Sequence, residues 1–488
     1  MRPRTTSTRS TTSTTDGDGR RWLILVLVGL AQLMVVLDVT IVNIALPSAQ
    51  EALGFSNDSR QWIITAYALS FGSLLLLGGR IGDLFGRKWT FIAGLIGFAL
   101  ASAVGGMAQS FEVLVAARAA QGAFAALLAP AALALLTTTF PAGRERGKAF
   151  GIFGAIAGGG GAVGLLLGGV LTEYLSWRWC LYVNLGLAIP AAIGGLLLLQ
   201  HRVAAARPRL DVPGMLAAVS GLLALVYGLT RAETDGWRAG ITLGFFAAAA
   251  VLLTGFVLIQ RSSDHPLLPL RVVLDRNRGG AFAAIGVVGA GMFGVFLFLT
   301  YYLQQTLGFS PVETGLAFLP MVGALMLTST ITSTVVLPRV GPRPLITLGL
   351  LLGAIGLVLL TRLDVSSTYA AHVLPGLLLV GLGLGPATAA AFNTGTGGVR
   401  PGDSGVASAT VNVMQQVGGS IGTALLSTVA ASATSSFAGS QTTAAVHGYT
   451  TAFWWSAAIF AAGAIVCGLL IPSGRLQAAP VAEPVLVR

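Results

Sequence analysis

Charge is what this chain has least of. Of 488 residues only 10% are Asp, Glu, Lys or Arg, against about 25% in a soluble domain. With 54% hydrophobic residues and a mean hydropathy of +0.81, this excludes a soluble fold and predicts an integral membrane protein. Lysine is almost missing, because 27 of the 29 basic residues are arginine and only Lys88 and Lys148 are not. That bias, with 65 glycines, fits a GC-rich genome such as an actinobacterium's. Two cysteines, Cys180 and Cys467, fall inside apolar runs, so no disulfide framework is expected. Four histidines (His201, His265, His372 and His447) lie near loops or helix ends without ligand spacing, and no metal site is expected. No phosphate-binding Walker loop occurs, so transport driven directly by ATP is excluded. No nucleophile–base set is visible either, which argues against an enzyme, and no cofactor is expected.

What remains is apolar length. Runs long enough to span a bilayer, about 20 residues each, lie near 22–46, 61–80, 89–109, 112–136, 149–172 and 178–200. Two more lie near 212–231 and 240–260. Six follow, near 280–306, 314–337, 345–363, 370–393, 405–430 and 449–471. These fourteen spans predict an all-α membrane protein with no large extramembrane domain. The expected division is a disordered tail at 1–21, a six-helix bundle at 22–200, two inserted helices at 212–260, a second six-helix bundle at 280–471 and a tail at 472–488.

A +11 net charge is also what a nucleic-acid binder carries, but here the basic residues sit at helix ends and form no patch. Twenty-three Lys and Arg fall on the side of the N-terminus, five on the other (Arg60, Arg178, Arg231, Arg238 and Arg362), and Arg118 lies within a span. Loops rich in Lys and Arg stay in the cytoplasm, so both termini are expected there.

Three features carry chemistry. The first is the loop Gly79-Arg80-Ile81-Gly82-Asp83-Leu84-Phe85-Gly86-Arg87-Lys88 between the second and third spans. One carboxylate stands there among glycines, followed by a basic pair. Asp83 can latch onto the positive N-terminal end of a facing helix, an interaction of ~0.3–1 kcal/mol; the helix after Arg343 is the expected partner. Arg87 and Lys88 serve either as topology anchors or as gating partners. The later loop Pro338-Arg339-Val340-Gly341-Pro342-Arg343 weakly echoes this one, as an internal repeat would.

The second is a pair of charges at membrane depth, where each costs at least ~2.5–3.5 kcal/mol on insertion scales. Asp38 is 16 residues beyond Trp22, hence roughly 24 Å along a helix rising ~1.5 Å per residue. Arg118 lies about two turns from the outer end of the fourth span, at similar depth. Asp38 is expected to be the protonatable carboxylate with Arg118 as its partner; the alternative is a structural pair tying the first helix to the fourth. Third, polar residues in spans are candidates for a substrate cavity: Asn43, Tyr67, Gln121, Asn184, Tyr301, Gln304, Gln305, Asn412 and Gln415, with Gln32, Asn393 and Gln416. Each has an interhelical hydrogen bond as its alternative role. A cavity so poor in charge suits bulky amphipathic molecules better than sugars or phosphates.

The opening loop resembles the Gly-x-Leu-x-Asp-Arg-x-Gly-Arg-Lys loop of major facilitator superfamily transporters, with Leu84 at the usual arginine. Other stretches resemble the fourteen-span drug:proton antiporters of that superfamily. They are Leu37-Asp38-Val39-Thr40 through Pro47, Trp62-Ile63-Ile64-Thr65-Ala66-Tyr67, Arg118-Ala119-Ala120-Gln121-Gly122, Trp177-Arg178-Trp179, Tyr302-Leu303-Gln304-Gln305 and Gly405-Val406-Ala407-Ser408. The antiporter pattern Gly-x-x-x-Gly-Pro-x-x-Gly-Gly is met by Gly160, Gly164, Gly168 and Gly169, but Leu165 replaces its proline. Gly186 stands where the sixth helix of the family often has proline. These glycines allow either close packing or hinge bending. The resemblance implies a major facilitator fold of two six-helix bundles plus two inserted helices. It implies a monomeric multidrug or antibiotic efflux pump of the cell membrane, exchanging protons for its substrate with the proton gradient as energy source. A facilitator-type uniporter or symporter of a specific metabolite is the alternative; a channel is disfavoured.

Overall fold

The computed structural model describes residues 15–56, 59–140, 144–200, 211–263, 266–397, 399 and 404–472. In lipid every backbone N–H and C=O must be satisfied inside the segment, and the apolar runs accordingly form helices. The first six are α1 (Thr15–Leu53), α2 (Gln61–Phe85), α3 (Arg87–Gly106), α4 (Phe111–Thr139), α5 (Arg144–Tyr174) and α6 (Trp179–Leu198). Then come α7 (Val212–Thr234) and α8 (Gly240–Ser262). The last six are α9 (Arg276–Thr306), α10 (Pro311–Val340), α11 (Pro342–Leu360), α12 (Tyr369–Thr396), α13 (Ser404–Ser436) and α14 (Gln441–Leu470). Thirteen are long and apolar enough to cross a membrane, and α2 contributes the shorter apolar stretch Gln61–Leu75. Residues 15–21, expected in the tail, are helical. Residues 1–14 and 473–488 of the expected tails lie outside the described residues.

Helices α1–α6 pack on one another, as do α9–α14, while α7 and α8 form a hairpin against α2 and α13. This is the two-bundle arrangement with an inserted pair. Starts of helices are set by polar caps: Ser110, Asp211, Asp275 and Ser440 each accept an N-terminal backbone N–H, and Ser310 with Glu313 makes a full capping box. The two bundles repeat one device. Gly86, between α2 and α3, has φ 88°, and Gly341, between α10 and α11, has φ 83°; a side chain at either would be strained.

The face where α1 starts and α14 ends is here the terminal face; the other is the opposite face. Basic side chains tie down the terminal face by bonding the carbonyls at helix C-termini, where the helix dipole favours positive charge. Arg20 bonds Leu198 O at 2.9 Å, Lys88 bonds Leu196 O at 2.9 Å, Arg87 bonds Ala134 O at 3.2 Å and Arg146 bonds Thr137 O at 2.8 Å. Arg87 and Lys88 of the opening loop thus hold the ends of α4 and α6.

The bundles meet toward the opposite face. There Gln304 donates to Ile44 O at 3.1 Å, Tyr301 donates to Gln50 Oε1 at 2.5 Å, and Glu173 accepts the Val312 N–H at 3.0 Å. Close approach depends on glycine: a Cβ at Gly169 would sit 2.6 Å from Pro311 O, and one at Gly315 would sit 2.6 Å from Leu165 O. Nearer the terminal face, a Cβ at Gly151, Gly154 or Gly159 of α5 or at Gly323 of α10 would meet nothing within 4 Å. On that half of α10 and on the neighbouring α12, Thr330, Ser333, Thr334 and Asn393 are exposed. The bundles are thus joined toward the opposite face.

Gly168 and Gly154 separate packing from open space on one helix. Gly168→Val should destabilise the protein by about 1–3 kcal/mol through overpacking, since a Cβ there already lies 3.0 Å from Ile41 O. Gly154→Val should leave stability unchanged or slightly raised. Apparent Tm of the two purified variants decides between them.

Candidate functional site

Asp38 sits in the middle of α1, fully buried, and its carboxylate is bonded by side chains of two helices, α4 and α6. Arg118 of α4 donates from Nη1 to Asp38 Oδ2 at 2.5 Å. The other carboxylate oxygen accepts from Gln121 Nε2 at 2.9 Å and from Asn184 Nδ2 of α6 at 2.8 Å. Ser102 of α3 stands behind both amides, 2.7 Å from Gln121 Nε2 and 3.3 Å from Asn184 Nδ2. Gln121 Oε1 in turn accepts from Arg118 Nη1 at 2.9 Å, and Arg118 Nε donates to Ile63 O at 3.1 Å. The guanidinium lies over the ring of Tyr67, 4.4 Å from its centroid, in a cation–π contact. Exposure of Asp38, Ser102, Gln121 and Asn184 is 0%, and that of Arg118 is 2%.

Helix geometry explains the assembly. Arg118 and Gln121 are three residues apart, so both project from one face of α4 toward α1. Gly122, beside Gln121, lets α2 come close: a Cβ there would lie 3.0 Å from Phe71 N. On the other side of α1, Gly160 faces Val36, Gly164 faces Thr40, and Gly168 faces Ile41. The antiporter-pattern glycines therefore clamp α5 onto the stretch of α1 that carries Asp38. Gly169 belongs to a different contact, with Pro311 and Val312 of α10. Leu165, at the missing proline, is fully buried, and α5 runs through it without a break.

The candidate residues divide by place. Tyr67, Gln121 and Asn184, expected in the substrate cavity, surround the buried ion pair. Tyr301 and Gln304 lie on the seam between the bundles at the opposite face, and Gln305 is exposed beside them. Asn43 is buried and its amide bonds Val39 O of its own helix at 2.9 Å. Asn412 is half-buried and bonds Ser408 O at 3.0 Å, while Gln415 is half-buried on the same helix. In the opening loop Gly79 is half-buried and Gly86 buried; the Asp83 side chain, and hence the expected latch, lies outside the described residues. Sequence reasoning missed Ser102, Gln50 and Arg60. A serine among Ala and Gly in a span carries no signal, and the other two stand at helix ends where polar residues are ordinary.

A buried charge pair held by this many hydrogen bonds tolerates loss of both charges far better than loss of one. Arg118→Leu should destabilise the protein by roughly 3–5 kcal/mol, and adding Asp38→Asn to it should recover a large part of that. Apparent Tm of wild type, single and double variants measures the effect.

The chain matches the Major Facilitator Superfamily over residues 28–423. It is 49% identical to a puromycin resistance protein of Streptomyces alboniger over 95% of this chain and 93% of that one. It is 37% identical to a cephamycin export protein of Amycolatopsis lactamdurans, over 94% and 96%. A tetracenomycin C resistance and export protein of Streptomyces glaucescens is 35% identical, over 85% and 77%. Among solved structures, an auto-inhibited peptide transporter of the POT family superposes with a TM-score of 0.69 at 16% identity, over 96% and 99% of the two chains. A bacterial homologue of the lysosomal transporter Spinster gives 0.63 at 15%, over 94% and 98%. The chain belongs to the Major Facilitator Superfamily and is a multi-pass membrane transporter.

Proposed function

We propose that this transporter exports amphipathic drug-like or natural-product molecules from the cytoplasm in exchange for protons, with Asp38 as the proton-carrying group. The observation that carries the reading is the buried carboxylate of Asp38, paired with Arg118 and held by Gln121 and Asn184. No acid other than Asp38 stands in the middle of a span, so proton exchange inside the membrane has one natural carrier. Separating the pair would leave each charge without its partner in the dry bundle, so movement of α1 against α4 is coupled to the charge of this site. The excess of Lys and Arg on one side supports a cytoplasmic terminal face. The exposed polar residues of α10 and α12 then lie toward the cytoplasm, the side from which an exporter loads. Resistance and export functions of the similar actinobacterial proteins support the substrate class. The polar side chains exposed on α10 and α12, among long apolar walls, suit molecules that are part apolar and part hydrogen-bonding.

Membrane vesicles with an imposed pH gradient test this reading against a panel of antibiotics and dyes. Wild type should accumulate a substrate only while the gradient lasts, and Asp38→Asn should lose that accumulation while still inserting normally. Undiminished gradient-driven transport by Asp38→Asn would sink the assignment. Transport by wild type that ignores the gradient would favour a uniporter.

A further inference from the structure

At the opposite face a positive charge is boxed in by aromatic rings, and the box and its occupant belong to different bundles. Arg60, the residue before α2, is only 6% exposed. Its guanidinium carbon lies 3.9 Å from the centroid of the Tyr301 ring, 5.7 Å from that of Tyr449 and 5.9 Å from that of Phe298. Phe298 and Tyr301 are on α9 and Tyr449 is on α14. The Phe298 and Tyr449 rings pack directly, with centroids 6.0 Å apart. The Tyr301 hydroxyl is held by Gln50, again from the other bundle. The rings thus form one unit within the C-terminal bundle, and Arg60 plugs it from outside.

A ring face attracts a cation through its quadrupole, most strongly where water is excluded. That attraction depends on charge and softness rather than on the guanidinium shape, so a box that holds Arg60 is also suited to quaternary ammonium, phosphonium or protonated amine groups. When the opposite face opens by rocking of one bundle against the other, Arg60 leaves with α2 while the three rings stay together on α9 and α14. The vacated box then borders the path out.

We propose that Phe298, Tyr301 and Tyr449 form an exit site for organic cations, which Arg60 occupies whenever the opposite face is closed. The place of this site in a transport cycle rests on the export reading above; its binding chemistry does not. Export would carry a cationic substrate into the box as Arg60 withdraws. Closure would return Arg60 to the rings, and two cations cannot share them, so the substrate is displaced outward. Arg60 is then a competitor built into the chain, which empties the exit site on each closure.

Binding of tetraphenylphosphonium to the purified full-length protein, at one pH and without a gradient, tests the proposal. Arg60→Ala should bind it about tenfold more tightly than wild type, because the box loses its internal competitor. Arg60→Gln serves the same purpose should the alanine variant fold poorly. Arg60→Lys, which keeps a cation, should stay near wild type, and Tyr301→Leu added to Arg60→Ala should remove the gain. The neutral triphenylphosphine oxide, of similar shape, should gain nothing. Unchanged affinity in both neutral variants would overturn the proposal. So would a gain that survives Tyr301→Leu, or one shared equally by the lysine variant or by the neutral probe. Because no gradient is involved, failure of proton exchange in vesicles leaves this result standing, and the reverse also holds.

Discussion

A carboxylate and a guanidinium facing each other in the dry centre of the N-terminal bundle constrain everything around them. Moving two such charges out of water is expensive, and their mutual attraction compensates only when the geometry is good and the remaining donors and acceptors are satisfied. The amides of Gln121 and Asn184, the hydroxyl of Ser102 and the carbonyl of Ile63 meet that demand. Five helices, α1, α2, α3, α4 and α6, must therefore keep their registers for the pair to stay paired. A site with such strict geometry is a costly way to hold helices together, since an apolar cluster of similar size would do so without the desolvation. Such a pair suits the proton-carrying role proposed for Asp38.

The glycines of α5 connect that site to the rest of the molecule. In the half of the helix near the opposite face they remove side-chain bulk so that α1 and α10 can both lie against α5, and there packing by van der Waals contact holds membrane helices together. In the half near the terminal face the same residue type meets empty space. One helix thus packs on both bundles near the opposite face, while near the terminal face its ties, through Arg146 to Thr137 O and Glu145 to Arg21, run within the N-terminal bundle. Leu165 at the usual proline position keeps α5 continuous, so any bend in it falls on glycines rather than on a proline kink.

Much of this was legible in the chain, and for physical reasons. Bilayer thickness and backbone satisfaction set helix length so firmly that apolar runs alone outline the helices. Their ends were less legible, because helices run on past the apolar stretch: α5 spans Arg144–Tyr174 where the apolar run is 149–172, and α13 ends at Ser436 where it ends near 430. Asp38 and Arg118 stood out because charge at that depth is costly and rare. Gln121 and Asn184 were visible as polar residues in spans, but their placement around Asp38 depends on how α4 and α6 rotate against α1, which periodicity does not encode. Arg60 was one more basic residue at a helix end until the aromatic rings of α9 and α14 were brought to it. Contacts between bundles are the least legible class, since they depend on which of several packings the two halves adopt.

The site and the seam share α1 and α5, and this bears on how proton binding could act on the path of a substrate. Thr40 and Ile41, within one turn of Asp38, lie against Gly164 and Gly168. One residue further along α5, Gly169 touches the start of α10, and the carbonyl of Leu165 faces Gly315 of the same helix. Beyond Asp38 on α1, Ile44 and Gln50 hold Gln304 and Tyr301 of α9. A shift or rotation of α1 caused by a change of charge at Asp38 would therefore reach the seam by two packed routes, one through α5 to α10 and one directly to α9. The second ends at Tyr301, whose ring holds Arg60. Tight packing transmits such shifts because it resists gradual deformation and favours discrete arrangements. The bundle that carries Asp38 and the contact that closes the opposite face are in this sense one mechanical unit, although Asp38 touches no residue of the C-terminal bundle through its hydrogen bonds.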